Sequence, residues 1–192
     1  NVNPLLSTLW DQGTYYNQLC PADGGGPGGH VWAGCVATAM AQVMKYHNFP
    51  DQGTGSHTYY CAGYGNQSAD FGATTYAWAS MPNQVNASNV SVATLLYHLG
   101  VSVDMQYSAS GSGAYSSDAR DALVNYFSYS PNAVLLPKNS FPIETFVYKL
   151  RNELDLSRPV YYSGSGSGGG HAFVCDGYQG DDYFHFNWGW SG

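Results

Sequence analysis

The chain has 192 residues and a net charge of −7, with 44% hydrophobic and only 10% charged residues. That length can bury one full core, and the apolar content excludes a disordered chain. The six basic residues are scattered (Lys45, Arg120, Lys138, Lys149, Arg151, Arg158), so nucleic acid and anionic membrane surfaces lack the clustered basic face they need.

No apolar run approaches the ~18 residues of a membrane span. The polar surface must come from Ser, Asn, Gln, Thr, Gly and 17 tyrosines, a composition suited to the outside of cells. No signal peptide is visible, so an exported protein would be present here in processed form. Four cysteines (Cys20, Cys35, Cys61, Cys175) are too few for a disulfide scaffold. Four free thiols or one bridge are both open. A bridge, if formed, is expected between Cys20 and Cys61, which lie in Gly- and Tyr-rich loop sequence.

In chain order, GGGPGG at 24–29 reads as a flexible loop leading to the first helix. That helix starts at Cys35. Val36, Met40, Val43, Met44 and His47 form its apolar stripe, and Asn48 and Pro50 end it. Small alanines at 37, 39 and 41 suit a helix enclosed on all sides. A second helix is predicted near 90–99, stopped by Gly100, and a third near 117–128, capped by Ser116 or Ser117. A fourth starts around Pro142 and closes at Arg158-Pro159. Strands follow: PVYYSG, HAFVCDG and DYFHFNWGW. Helices first and sheet last predict an α+β fold.

Two features carry chemistry. Most helical cysteines are small buried apolar residues, but at a first turn the free N–H groups and the helix dipole favour a thiolate. Cys35 holds that position. The second feature is 171–188, which reads as a hairpin. With a loop at 177–181, His171 faces Asn187, whose amide oxygen could orient the imidazole. A one-residue slip would put the two on opposite faces. Cys175 shares the His171 face but lies about 13 Å along the strand at ~3.3 Å per residue, too far to be its partner, and reads as a core thiol. GSGSGGG at 164–170 leaves room for a peptide beside His171. His30, His47, His57, His98 and His185 read as structural or surface residues. No His or Cys pair has metal-site spacing, so no metal or other cofactor is expected.

GCVATAMAQVMKYHNFP (34–50), GGHAFVCDGY (169–178) and HFNWGW (185–190) resemble the streptopain family of secreted bacterial cysteine peptidases in the papain-like clan. Within it, the interpain-like homologues of anaerobic Gram-negative bacteria are more similar. PLLSTLWDQGTYYN and the stretch 100–123 extend the resemblance over nearly the whole chain. It implies a papain-like two-part fold, with a helical part around a central helix carrying the nucleophile and an antiparallel sheet carrying the base. It further implies Cys35 as nucleophile and His171 as general base, with Asn187 and Trp188 orienting and shielding the histidine and Gln12 binding the oxyanion. Trp188, Gly169 and Gly170 would contact substrate. The implied partners are protein or peptide substrates and the protein's own inhibitory prosegment, and the implied location is extracellular.

Family members usually continue past NWGW-(S/G)-G. Residues 1–192 are therefore expected to be one catalytic domain without its prosegment and without the family's C-terminal segment. Two other functions compete with an endopeptidase. One is a cell-wall peptide amidase using the same Cys-His pair. The other is a non-catalytic binding module in which Trp188 and Trp190 form a stacking platform. A serine hydrolase lacks its G-x-S-x-G motif.

Overall fold

Apolar spacing and a run of small alanines produce helix α1, Cys35–His47, in the computed structural model, which describes all 192 residues. Every residue from Val36 to Met44 is buried, so other elements surround the helix as its composition predicts. Asn48 ends it in the left-handed conformation, its N–H bonding back to Lys45 O and Met44 O.

A hairpin follows, β1 (Ser56–Cys61) and β2 (Gly65–Asp70), paired from Ser56↔Asp70 to Cys61↔Gly65. It had no counterpart in the sequence reading, because SHTYYC and GNQSAD are mostly polar and the positions that turn inward are His57, Tyr59, Cys61, Gln67 and Ala69, few of them strongly apolar. Helix α2, Val90–Ser102, is capped by Asn89, whose side chain accepts the Val92 N–H at 3.0 Å. Gly100 does not stop it. The helix continues for two residues, and a Cβ on Gly100 would lie 2.1 Å from Tyr107 Oη, so this glycine admits a tyrosine.

Helix α3, Ser116–Tyr126, has no serine cap; Tyr115 holds the cap position. The Ser116 hydroxyl instead bonds Tyr161 Oη and Ser163 Oγ, both at 2.9 Å. Helix α4, Ile143–Asp155, begins after Pro142 and buries Leu150 and Leu154. Strands β3 (Val160–Gly166), β4 (Gly169–Gln179) and β5 (Tyr183–Asn187) form an antiparallel sheet in that order. Helix α1 packs on β3, β4, α2 and α3. Ala172 and Val174 join the large core around α1, whereas Cys175 and Tyr178 join Leu150 and Leu154 in a smaller one. This is the expected α+β arrangement, a helical part beside an antiparallel sheet.

Three expectations need correction. The β4–β5 loop is 180–182, not 177–181, because β4 continues through Gln179 and Gly180 turns at φ 63°. With a bulge between Cys175 and Gly177, Asn187 comes to face Val174, and His171 pairs with Gly164 of β3 instead. The 164–170 run closes the β3–β4 hairpin, turning at Ser167-Gly168. The 24–29 loop is tied down: Asn17 Nδ2 donates to Pro27 O, His30 O and Val31 O, at 2.8, 3.3 and 3.0 Å. Cys20 and Cys61 are not bridged. All four cysteines are free, with the Cys20 thiol beside Tyr107 Oη and the Cys61 thiol donating to Met105 O.

The N-terminal residues lie across the β4 bulge. Val2 bridges Tyr178, and the N–H groups of Leu5 and Leu6 reach Asp176 O and Asp176 Oδ2 at 2.9 and 3.0 Å. Asp176 is fully buried and also accepts from His185 Nδ1 at 2.6 Å, so His185 is a structural partner of a buried carboxylate.

The fit at Gly100 makes the first test. Gly100→Ala should cost about 1–3 kcal/mol by overpacking and lower Tm by roughly 2–12 °C. Adding Tyr107→Phe, which removes the hydroxyl in the way, should recover part of the loss in thermal unfolding.

Candidate active site

Cys35 is the first residue of α1, and Gly34 before it has φ 96°, a conformation open to glycine at little cost. A Cβ there would also lie 2.6 Å from Met105 Cε, so the backbone entering the helix is held from both sides. The Cys35 side chain is half-buried and makes no hydrogen bond, to His171 or to any other group. Its N–H is one of the first-turn donors that no helix carbonyl can satisfy.

His171 lies near the start of β4. Its Nε2 is 2.8 Å from Trp188 O. A carbonyl only accepts, so Nε2 carries the proton and Nδ1 is left with its lone pair, free to receive another. Trp190 stacks on the imidazole at 4.3 Å between ring centroids, with Phe173 and Trp188 stacked farther out at 5.7 and 6.4 Å. Trp188 packs closer on Phe173, at 4.6 Å, so the two tryptophans belong to one aromatic cluster beside the histidine.

Asn187 does not touch His171. It faces Val174, three residues away and about 10 Å along the strand at ~3.3 Å per residue. The odd offset also puts the two side chains on opposite faces of the sheet. Asn187 is buried; its Oδ1 accepts from Gln42 Nε2 and Gly189 N at 3.0 and 3.1 Å, and its Nδ2 donates to Thr8 O at 2.8 Å. The orienting acceptor is therefore the carbonyl of the next residue, which side-chain pairing rules do not reveal.

Gln12 is buried, yet its side-chain amide makes no hydrogen bond within the protein. Its backbone is fixed on two sides. Gln12 O accepts the Ala33 N–H at 2.9 Å, two residues before Cys35, and Asp11 Oδ1 accepts the Gln12 N–H at 2.6 Å. Asp11 Oδ2 also accepts from Ser191 Oγ at 2.9 Å, and Trp10 O from Ser191 N at 3.2 Å. The strip Trp10–Gln12 joins the approach to Cys35 to the loop that carries Trp188 and Trp190. Gly169 and Gly170 have no protein packed where a Cβ would point, apart from Gly164 O at 3.9 Å from the Gly170 position, so this rim beside His171 is open.

The sequence reading also missed Thr38, Gln42 and Thr8. Cys35, Thr38 and Gln42 fall at i, i+3 and i+7, one face of α1. Gly189, at φ 70°, lies against Thr38, with its Cβ position 3.1 Å from Thr38 Cγ2. Gln42 meets Asn187, so the loop runs along this face toward the Cys35 end. The available signal was Thr38 and Gln42 themselves, two polar residues in an otherwise apolar, fully buried stretch. Burial pushes the Tyr161 hydroxyl on β3 up to about 12, partly offset by its hydrogen bond with Ser116. No three His, Cys, Asp or Glu side chains converge as metal ligands.

The peptidase C10 family model matches residues 10–192. This chain belongs to the peptidase C10 family. It is 36% identical to the thiol protease/hemagglutinin PrtT of Porphyromonas gingivalis over all of this chain and 24% of that protein. It is 34% identical to streptopain of Streptococcus pyogenes over 98% of this chain and 54% of streptopain. The chain thus spans about a quarter and about half the length of these curated relatives. Active wild-type interpain A, a cysteine protease of Prevotella intermedia, superposes on it with a TM-score of 0.91 at 38% identity, covering 100% of this chain and 82% of that one. A prointerpain A fragment superposes at 0.90 with 38% identity, over 100% of this chain and 62% of the fragment. The C10 membership and these superpositions establish the papain-like fold, and no helix is long and apolar enough to cross a membrane.

The burial of the other cysteines sets up a thiol count. Burial pushes the Cys20 and Cys175 thiols up to about 12, and Cys61 is buried as well. A disulfide reagent should titrate one thiol rapidly in the native protein and four in denaturant, and Cys35→Ala should remove the fast one.

Proposed function

We propose that the chain is the catalytic domain of a secreted cysteine endopeptidase, with Cys35 as nucleophile and His171 as general base. One observation supports this most directly: Trp188 O holds Nε2 of His171, so Nδ1 is the nitrogen available to a thiol. In the first step His171 Nδ1 takes the Cys35 proton, and the helix dipole favours the resulting thiolate–imidazolium pair. The thiolate attacks the scissile carbonyl, and negative charge gathers on its oxygen. The Cys35 N–H and the unpaired amide of Gln12 are the donors suited to that oxyanion. When the C–N bond breaks, the imidazolium protonates the departing amine. Water, deprotonated by His171, then releases the acyl group from sulfur. Each protein group ends as it began.

The open rim at Gly169 and Gly170 suits an extended peptide running past His171, with Trp188 beside it. Asn187 belongs to the site as a residue that acts through its neighbours. By analogy with the prointerpain A fragment, a prosegment would hold the enzyme latent before maturation. The low charge and tyrosine-rich surface support an extracellular setting.

Cys35→Ala should abolish casein cleavage and thiol-directed inhibition; turnover surviving in that variant would overturn the assignment. Muropeptide release without casein digestion would instead mark an amidase. Gln12→Ala should lower kcat about 100-fold with little change in KM, the signature of a contact made in the transition state.

A further inference from the structure

Thr8, Gln42 and Asn187 form a closed ring of hydrogen bonds in the core. Thr8 Oγ1 donates to Gln42 Oε1 at 2.8 Å, Gln42 Nε2 donates to Asn187 Oδ1 at 3.0 Å, and Asn187 Nδ2 donates to Thr8 O at 2.8 Å. All three residues are buried, and Gln42 is completely so. Two spare contacts extend the ring. Gln42 Oε1 also accepts from Trp10 N at 3.4 Å, and Asn187 Oδ1 from Gly189 N at 3.1 Å.

The ring joins three pieces of chain that have separate duties. Gln42 lies on α1, two turns below Cys35 on the same face. Thr8 leads into the Trp10–Gln12 strip. Asn187 and Gly189 flank Trp188, whose carbonyl fixes the His171 ring. A buried polar ring of this kind costs stability when only partly satisfied, and a hydrophobic replacement would pack as well without the desolvation. Its geometry is thus better explained by what it aligns.

We propose that Gln42 and Thr8 are positioning residues for His171, holding the Asn187–Gly189 turn so that Trp188 O meets Nε2 and leaves Nδ1 free. Neither touches substrate; both act through the turn. Without Gln42 Nε2, Asn187 Oδ1 loses its anchor on α1, and the peptide carrying Trp188 O can rotate. The imidazole then samples the other tautomer and other ring angles. The kinetic part of this proposal rests on the peptidase reading; the structural part does not.

The test uses the full chain and the variants Gln42→Met, Thr8→Val and Thr8→Ser. Nitrogen-15 NMR of His171, at a pH where the ring is neutral, reads the tautomer without turnover. The unmodified protein should show a single Nε2–H form. Gln42→Met and Thr8→Val should show a mixture, and Thr8→Ser, which keeps the hydroxyl, should restore the single form. On casein-derived peptides the first two should lose roughly 10- to 100-fold in kcat with KM within about twofold, because displaced catalytic geometry lowers kcat more than binding. Should Gln42→Met fail to fold, Thr8→Val carries the test, since it removes one hydroxyl at nearly constant volume. A folded variant that keeps the single tautomer and full kcat overturns the proposal. A wild-type chain with no peptidase activity overturns the functional reading instead, and the NMR comparison still decides this one.

Discussion

The structure depends on the contact between one face of α1 and the loop 187–190. The helix is buried from Val36 to Met44, so it cannot turn about its axis, and Cys35 is carried at its upper end. Along the face that includes Cys35, Thr38 receives Gly189 and Gln42 receives Asn187. The loop therefore has a fixed height on the helix. The carbonyl between those two anchors sets the histidine. A shift of the loop by one helical residue would misalign every contact together, which makes this seam a single register rather than several independent bonds.

Polar chemistry in this core relies on amides and hydroxyls more than on ions. Only 10% of residues are charged, and the side chains of Thr8, Gln42, Asn187 and Gln12 that matter to the site carry no formal charge. Neutral hydrogen bonds avoid the desolvation cost of buried ion pairs. The exception is Asp176, a buried carboxylate held by His185 and by the Leu6 N–H, and it secures the start of the chain at the sheet bulge. Tyrosines fill a similar role elsewhere, as where Tyr59 Oη donates to Met105 O beside the segment that supports Gly34.

Much of this was legible in the sequence. The spacing from Val36 to His47 and the Asn48 stop were enough to place α1 and its buried character, and the order of later helices and strands was enough for the α+β class. Register was not. The stretch DGYQGDD offers two glycines at which to turn, and composition does not say which one does; the structure turns at Gly180 and places a bulge at Asp176. That choice moved Asn187 from the histidine to the core. The β1–β2 hairpin escaped notice because its strands alternate in burial but not in hydropathy, with His57 and Gln67 among the inward residues. Gly100 was misread because a helix stop and a seat for a tyrosine look alike in one dimension. The carbonyl of Trp188 has no signature in sequence at all, since every residue has one.

The bond between Asn187 and Thr8 spans 179 positions of the chain, and that between Ser191 and Asp11 spans 180. Closing loops of that size is slow and comes after local structure has formed. Thr8 and Asn187 must meet before the turn that holds the imidazole has its support, so α1 and its thiol can form well before the rest of the site assembles. Assembly of the site therefore waits until the segment 187–191 has docked on α1 and on residues 8–11, however early the helix itself forms.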